Sequence, residues 1–487
     1  MSTVTLTYTA SQASANAAGT AGSGWTWWEK FLFRILFVFT ALMLLPIDPD
    51  WYTQFFESKS FFWYLSSIAG YRTNIFQVST ESGRWGLAAY VNWGAAAAAA
   101  IVIALIWTLI VRKSKRISYN KLYYWTRVAI RYRIALGLIA FGFLKVYPMQ
   151  MPYPSLSNFL TDFGDYNTYK IYWQHVGIST WYQVLLGWVE VIGGVLMFFR
   201  PTIFIGALIN AGVLFNIAHA NFGYDGGVHV YSSFFVLFSV ILLIPYLRDL
   251  WKLFIQKKDT TLALYQPVWD TKKKKLIAYS VKAAFVLLFT IVYGALRYDV
   301  HYNQGYLKEP VTPGLSNAAG YYNVTEFRLN DEVIPFNPLD SVRWQSVIFE
   351  KWSTLVYKVN KPFSISLANG TPSEKDVDRN YELAGIAGGQ RFLYYEADTI
   401  KKVLYLTDKN KGERQGRGRR ERRNQRRAER DGKKKPEKPL FTWSYERPSD
   451  TRIILKGQNE KKQSLYVVLD KIERPFPIEI KRSNQEQ

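Results

Sequence analysis

The chain has 487 residues, enough for two or three domains, and a formal charge of +23. It contains no cysteine, which excludes disulfides, thiolate metal sites, iron–sulfur clusters and cysteine nucleophiles. Aromatic residues make up 17% of it, and the mean hydropathy of -0.09 averages an apolar first part with a charged last part.

Residues 1–24 are rich in Ser, Thr, Ala and Gly and carry no charge, so they read as a disordered tail. They lack the basic start and apolar middle of a signal peptide. The first apolar segment must itself be the targeting signal. A bilayer core takes about 20 mostly apolar helical residues. Seven segments suit that role: Phe31–Ile47, Leu87–Val111, Ile134–Val146 (extended at its start by Val128–Ile130), Trp181–Phe199, Ile203–Ala220, Val230–Leu247 and Leu276–Leu296. Phe61–Tyr71 is too short to span. Its Phe61, Phe62, Trp63 and Tyr64 suit a helix lying at the interface.

Orientation follows from Lys and Arg in short loops. The loop after the second segment holds Arg112, Lys113, Lys115, Arg116, Lys121, Arg127, Arg131 and Arg133. Arg200 lies between the fourth and fifth segments, and Lys272–Lys275 precede the seventh. These loops are expected to be cytoplasmic. That places the N-terminus inside and the C-terminal part outside.

After Arg297 the period changes. Short apolar runs recur at Asn323–Leu329, Trp344–Phe349, Leu355–Val359, Phe363–Leu367, Arg391–Tyr395, Val403–Leu406, Leu440–Tyr445, Ile453–Leu455 and Leu465–Leu469. In Leu440–Tyr445 the aromatic Phe441, Trp443 and Tyr445 alternate with Leu440, Thr442 and Ser444, as a strand requires. Turn signals such as Asn369-Gly370 and Gly388-Gly389 separate the runs. The expected fold is a multi-span α-helical membrane bundle followed by an all-β antiparallel barrel or sandwich. Residues 409–438 carry fifteen Lys and Arg against five Asp and Glu. They read as a long hairpin loop kept disordered by self-repulsion.

The expected organisation is therefore a tail at 1–24 and two spans with a basic loop at 25–130. A four-helix core follows at 131–250, then a basic loop and last span at 251–300. A β-rich domain at 301–487 ends the chain.

Charged residues inside spans are costly and mark function. Lys145 ends the third segment. Glu190 lies in Gly187-Trp-Val-Glu190-Val-Ile-Gly193-Gly194, where glycines admit a close helix neighbour. Lys145 is a candidate partner for Glu190. The only histidines, His175, His219, His229 and His301, all fall at expected outer helix ends, with Asp225 in the same loop as His229. They are candidates for one outward pocket, with His219 and His229 as weak metal candidates. The spacing matches no defined metal motif. The Pro- and Asp-rich loop Tyr147–Thr180 reads as a cap over the bundle. The basic run has the charge to bind nucleic acid, but on the outer side anionic lipid or polysaccharide is the expected partner, and no nucleic acid is expected.

The stretch from about Tyr132 to Leu250 resembles the DoxX and DoxX-like membrane proteins, which are four-helix bundles. The resemblance rests on Gly142-Phe-Leu-Lys145-Val-Tyr-Pro148, on Glu190-Val-Ile-Gly193-Gly194, and on the Asn221…Asp225 turn before Ser232-Ser233. The whole chain is similar to longer Bacteroidetes-type members that add helices and a C-terminal β domain, which implies a bacterial cytoplasmic membrane with the N-terminus in the cytoplasm and the C-terminal part in the periplasm. The resemblance implies a membrane role, with some members being subunits of quinol-linked oxidoreductases. It suggests a quinone or another lipophile near Lys145, Glu190, His175, His219, Asp225, His229 and His301, and the histidines, as common haem ligands, also admit a haem. Family roles that use cysteine pairs are excluded. Two other readings stay open: lipid or envelope-polymer handling without redox chemistry, and a scaffold that binds a protein partner through the β domain.

Overall fold

The computed structural model describes residues 25–478, apart from 58–59, 74, 77–86, 113–117, 261–264, 266, 268–270, 364, 366–369, 371 and 411–439. The tail at 1–24 and nearly all of the basic run at 409–438 lie outside the described residues. The chain divides into two compact units, residues 1–147 with 184–299, and residues 148–183 with 300–487.

The first unit is helical. Its helices are α1 (Trp27–Leu44), α2 (Pro49–Phe56), α3 (Phe61–Ala69), α4 (Val91–Val111) and α5 (Asn120–Val146). Thr26 starts α1 with a capping box: its hydroxyl accepts from the Glu29 N–H, and its own N–H donates to the Glu29 carboxylate. On α4, Ala96, Ala100 and Ala104 are fully buried, four residues apart, a stripe of small residues that lets α1 pack closely. Among the described residues, five helical stretches are long and apolar enough to cross a membrane: Leu87–Val111, Thr180–Met197, Arg200–Gly223, His229–Ile255 and Lys272–Asn303. Helix α1 carries Glu29, Lys30 and Arg34, and α5 carries Arg127, Arg131 and Arg133, so both are more polar.

The expected basic loop before the third segment is shorter than the sequence suggested, because α5 begins at Asn120. Lys121, Arg127, Arg131 and Arg133 all lie on that helix. Arg131 and Arg133 are buried and satisfy the carbonyls at helix ends. Arg131 donates to the carbonyls of Met197 and Phe198 at 2.9 and 3.0 Å, and Arg133 to those of Ala69 and Tyr71. These carbonyls close neighbouring helices, where a cation is favoured.

The second unit is a closed antiparallel barrel. Its strands are β1 (Gly320–Leu329), β2 (Glu332–Val333), β3 (Ser346–Phe349), β4 (Thr354–Lys358), β5 (Gln390–Asp398), β6 (Val403–Asp408), β7 (Leu440–Ser449), β8 (Arg452–Gln458) and β9 (Ser464–Ile472). Strands β3 to β9 pair in sequence order. The eight-strand ring closes where β1 meets β9, with Val324 opposite Leu469 and Phe327 opposite Val467. Strand β2 only extends the end of β1. The sandwich alternative is thereby set aside.

Alternate residues of each strand point inward and fill the ring, among them Tyr322, Val324, Phe327, Phe349, Leu404, Trp443 and Leu455. Trp344 stacks on Tyr357 at 4.2 Å within this core. The expected strand Phe363–Leu367 falls largely outside the described residues, and its described positions are not strand.

The loop expected to cap the bundle belongs to the barrel's unit. Residues 148–183 form α6 (Leu156–Phe159), a 3-10 turn at Phe163–Asp165 and α7 (Thr168–Gly177). They cover the outward apolar residues Ile348, Val356 and Phe392, together with Leu383 and Ile386, using Leu156, Leu160 and Tyr166. An outer barrel face that bears Ile, Val and Phe needs such a cover.

Candidate functional site

The remaining helices of the first unit bring its polar residues together. They are α8 (Thr180–Met197), α9 (Ile203–Gly223), α10 (His229–Leu250), α11 (Lys272–Leu287) and α12 (Tyr293–Tyr298), the last two joined by a π turn at Leu288–Val292. Helices α5 and α8 touch backbone to backbone. A Cβ on Gly142 would lie 2.8 Å from the Gly187 carbonyl, and one on Gly187 would lie 2.6 Å from the Val146 nitrogen. Only glycine fits at both positions.

This close seam joins Lys145 to Glu190. The Lys145 Nζ lies 2.8 Å from Oε1 and 2.9 Å from Oε2 of Glu190. Lys145 is 5% exposed and Glu190 2%, so the pair is taken out of solvent. An isolated charge there is prohibitive, and a matched pair with hydrogen bonds is the arrangement that makes burial tolerable.

One turn beyond Glu190, Gly193 faces Asn210 of α9, since a Cβ there would lie 2.8 Å from the Asn210 Oδ1. Asn210 is 1% exposed and Ser239 of α10 is fully buried. Sequence reading passed over both. The signal that marks them is a lone polar side chain midway along an apolar helix.

The histidines are dispersed in role. His229 is buried, stacks on Phe222 at 4.2 Å and on Tyr90 at 5.7 Å, and its Nδ1 lies 3.4 Å from the Tyr90 hydroxyl. His219 is exposed beside Phe215, and Asp225 is an exposed residue with φ of 51° in the turn before α10. In the barrel's unit, His175 is exposed near the end of α7 and His301 is buried. Among the described residues, no group of three or more His, Asp or Glu is placed to hold a metal ion.

An apolar groove of about 430 Å³ runs along the α5–α8 seam and the last helix. Phe143, Tyr147, Trp188, Val191, Ile192, Thr290 and Gly294 line it, and neither Lys145 nor Glu190 does.

The barrel's unit holds a second buried polar cluster. Glu350 accepts the backbone N–H groups of Leu156 and Ser157 at 3.1 and 2.8 Å. Glu382 accepts from Lys409 at 2.6 Å and from Thr354 at 3.0 Å, and its backbone carbonyl accepts from the Asn158 amide at 2.8 Å. Lys170 of α7 donates to the Tyr381 carbonyl at 2.6 Å and sits over the Tyr381 ring. Burial, reinforced by the nearby Glu382 charge, pushes the Glu350 carboxyl up to about 7 despite its hydrogen bonds from Ser157 and Leu156. Burial likewise brings the Lys170 ammonium down to about 7, against the pull of Glu382 and with help from Lys308.

Comparison of the chain with protein-family models, with curated proteins and with solved structures yields no match.

Proposed function

We propose that the chain is an integral membrane protein of the DoxX-like kind whose bundle binds a lipophilic small molecule, a quinone being the class that fits best. In this reading it serves as a subunit of a membrane oxidoreductase system. The observation that carries the proposal is the Lys145–Glu190 pair. Two charges withdrawn from solvent among apolar helices are retained at a cost, and such residues mark ligand or proton sites. A quinone matches this setting because its polar ring sits well beside a buried ion pair and its tail in hydrocarbon.

In the same reading α1 and α5 also cross the bilayer, which gives seven spans. Buried Arg34 of α1 supports this, since its guanidinium is bonded to Tyr119 and Thr108 and packed over aromatic rings. The Lys and Arg bias then puts the N-terminus in the cytoplasm and the barrel in the periplasm.

The experiment is mass spectrometry of small molecules extracted from gently purified protein. Wild type is expected to carry a lipophile that Glu190→Gln loses. A wild-type preparation devoid of bound lipophile, or a Glu190→Gln protein that retains it in full, would overturn the proposal. A second reading, acyl-chain binding without redox chemistry, is favoured by the apolar groove along the α5–α8 seam. Recovery of phospholipid without any quinone would support that reading.

A further inference from the structure

Asn210 lies midway along the 24-residue apolar stretch Arg200–Gly223 and is 1% exposed. Neither its Oδ1 nor its Nδ2 has a hydrogen-bond partner among the described residues. Leaving a buried polar atom unpaired costs about 1–3 kcal/mol. A single Leu in this place would avoid that cost entirely. Asn210 nevertheless sits against Gly193, whose missing side chain leaves the amide its place. Gly193 follows Glu190 by three residues, so both lie on one face of α8. On α10, which packs along α9, the Ser239 Oγ is fully buried and also has no partner among the described residues. Asn210 and Ser239 are thus two buried polar side chains on neighbouring helices with hydrogen-bonding capacity unused among the described residues.

The chemistry of the amide narrows what meets it. A bare carbonyl accepts from Nδ2 and leaves Oδ1 unpaired. A hydroxyl is both donor and acceptor, so one hydroxyl bridges the amide, donating to Oδ1 while it accepts from Nδ2. We infer that Asn210, packed against Gly193 one turn along α8 from Glu190, anchors the head group of a hydroxyl-bearing lipophile and selects it over the corresponding carbonyl form. This rests on the bundle binding a lipophile at that pair, and it adds the identity of the head group and the residue that reads it.

The test is a fluorescence titration of the full chain in detergent with 2-decylhydroquinone and, separately, 2-decyl-1,4-benzoquinone. Wild type is expected to bind the hydroquinone about tenfold more tightly, the discrimination of roughly one buried hydrogen bond. Asn210→Leu is expected to lose that preference and, free of probe, to melt at a higher temperature, since an unpaired amide has been replaced by an apolar isostere. Should Asn210→Leu fail to fold, Asn210→Ala takes its place. Equal affinity of wild type for the two probes, or a preference that survives the substitution, would overturn the inference. Glu190→Gln separates this from the underlying reading. Unchanged binding of both probes by Glu190→Gln counts against the ion pair as a site, whereas loss in Glu190→Gln with an intact preference in Asn210→Leu counts against Asn210 alone.

Discussion

At the scale of single residues, the Lys145–Glu190 pair decides most. Removing one member leaves the other charge buried alone, while removing both leaves a hydrocarbon contact. Lys145→Met is therefore expected to destabilise the bundle by about 3 kcal/mol, and Lys145→Met with Glu190→Leu to recover most of that loss. Thermal unfolding in detergent of the two single variants and the double variant measures the coupling, and additive losses would show that the pair does not act as one. The partnership was legible in the sequence only as a candidate. Glycine spacing told that α8 admits a close neighbour, but which neighbour, and at what depth, depends on how α5 and α8 cross. Asn210 was legible only as a lone polar residue within an apolar helix. One polar residue in an apolar run looks like any other until its surroundings are seen to hold nothing for it.

At the scale of elements, residues 148–183 are held to the barrel by buried titratable groups. Glu350 pins the start of α6 and Lys170 pins α7. The groups around them are Glu382, Lys409, Lys308 and the rings of Tyr381 and Tyr395. The sign of the pH effect follows from the shifts. Glu350, ordinarily near 4.5 and here about 7, contributes fully below 4.5, and that contribution is lost as pH rises through 7. Lys170, ordinarily near 10.5 and here about 7, contributes fully above 10.5, and that contribution is lost as pH falls through 7. Their joint contribution is smallest near pH 7. The melting temperature of the barrel's transition is expected to rise towards pH 5 and towards pH 9 on this account. Glu350→Gln should flatten the acid side and Lys170→Met the alkaline side, and a wild-type profile that matches both variants would refute the assignment. No sequence signal marked this clasp. Lys170, Glu350 and Glu382 look like ordinary surface charges, and they are buried only because distant segments fold over them.

For the whole molecule, period-two alternation was enough to place eight of the nine expected strands, because each has one face in a filled interior. It left barrel and sandwich equal, since closure depends on the pairing of β1 with β9, which no local pattern encodes. The absence of cysteine makes topology open to direct test. A single Thr399→Cys, in the exposed β5–β6 hairpin, is expected to react with a membrane-impermeant maleimide added to intact spheroplasts. Labelling only after lysis would invert the orientation. The outer cover also predicts a dependence between segments. Residues 300–487 expressed alone would expose Ile348, Val356 and Phe392, and should aggregate unless a 148–183 peptide is supplied. A soluble monomer without that peptide, melting like the intact unit, would show the cover to be dispensable.

Ring closure has a consequence for biosynthesis. Val324 must find Leu469, whose codon is read 145 positions later, so β1 has no mate on one side until β9 has been made. Apolar helices upstream would by then have left the ribosome, while the nascent β chain waits with an unsatisfied margin. Long-range pairing of this kind is slow and prone to aberrant association. A truncation a few residues before Ser464 should thus leave an adhesive chain for holdases and proteases, rather than a slightly shorter barrel.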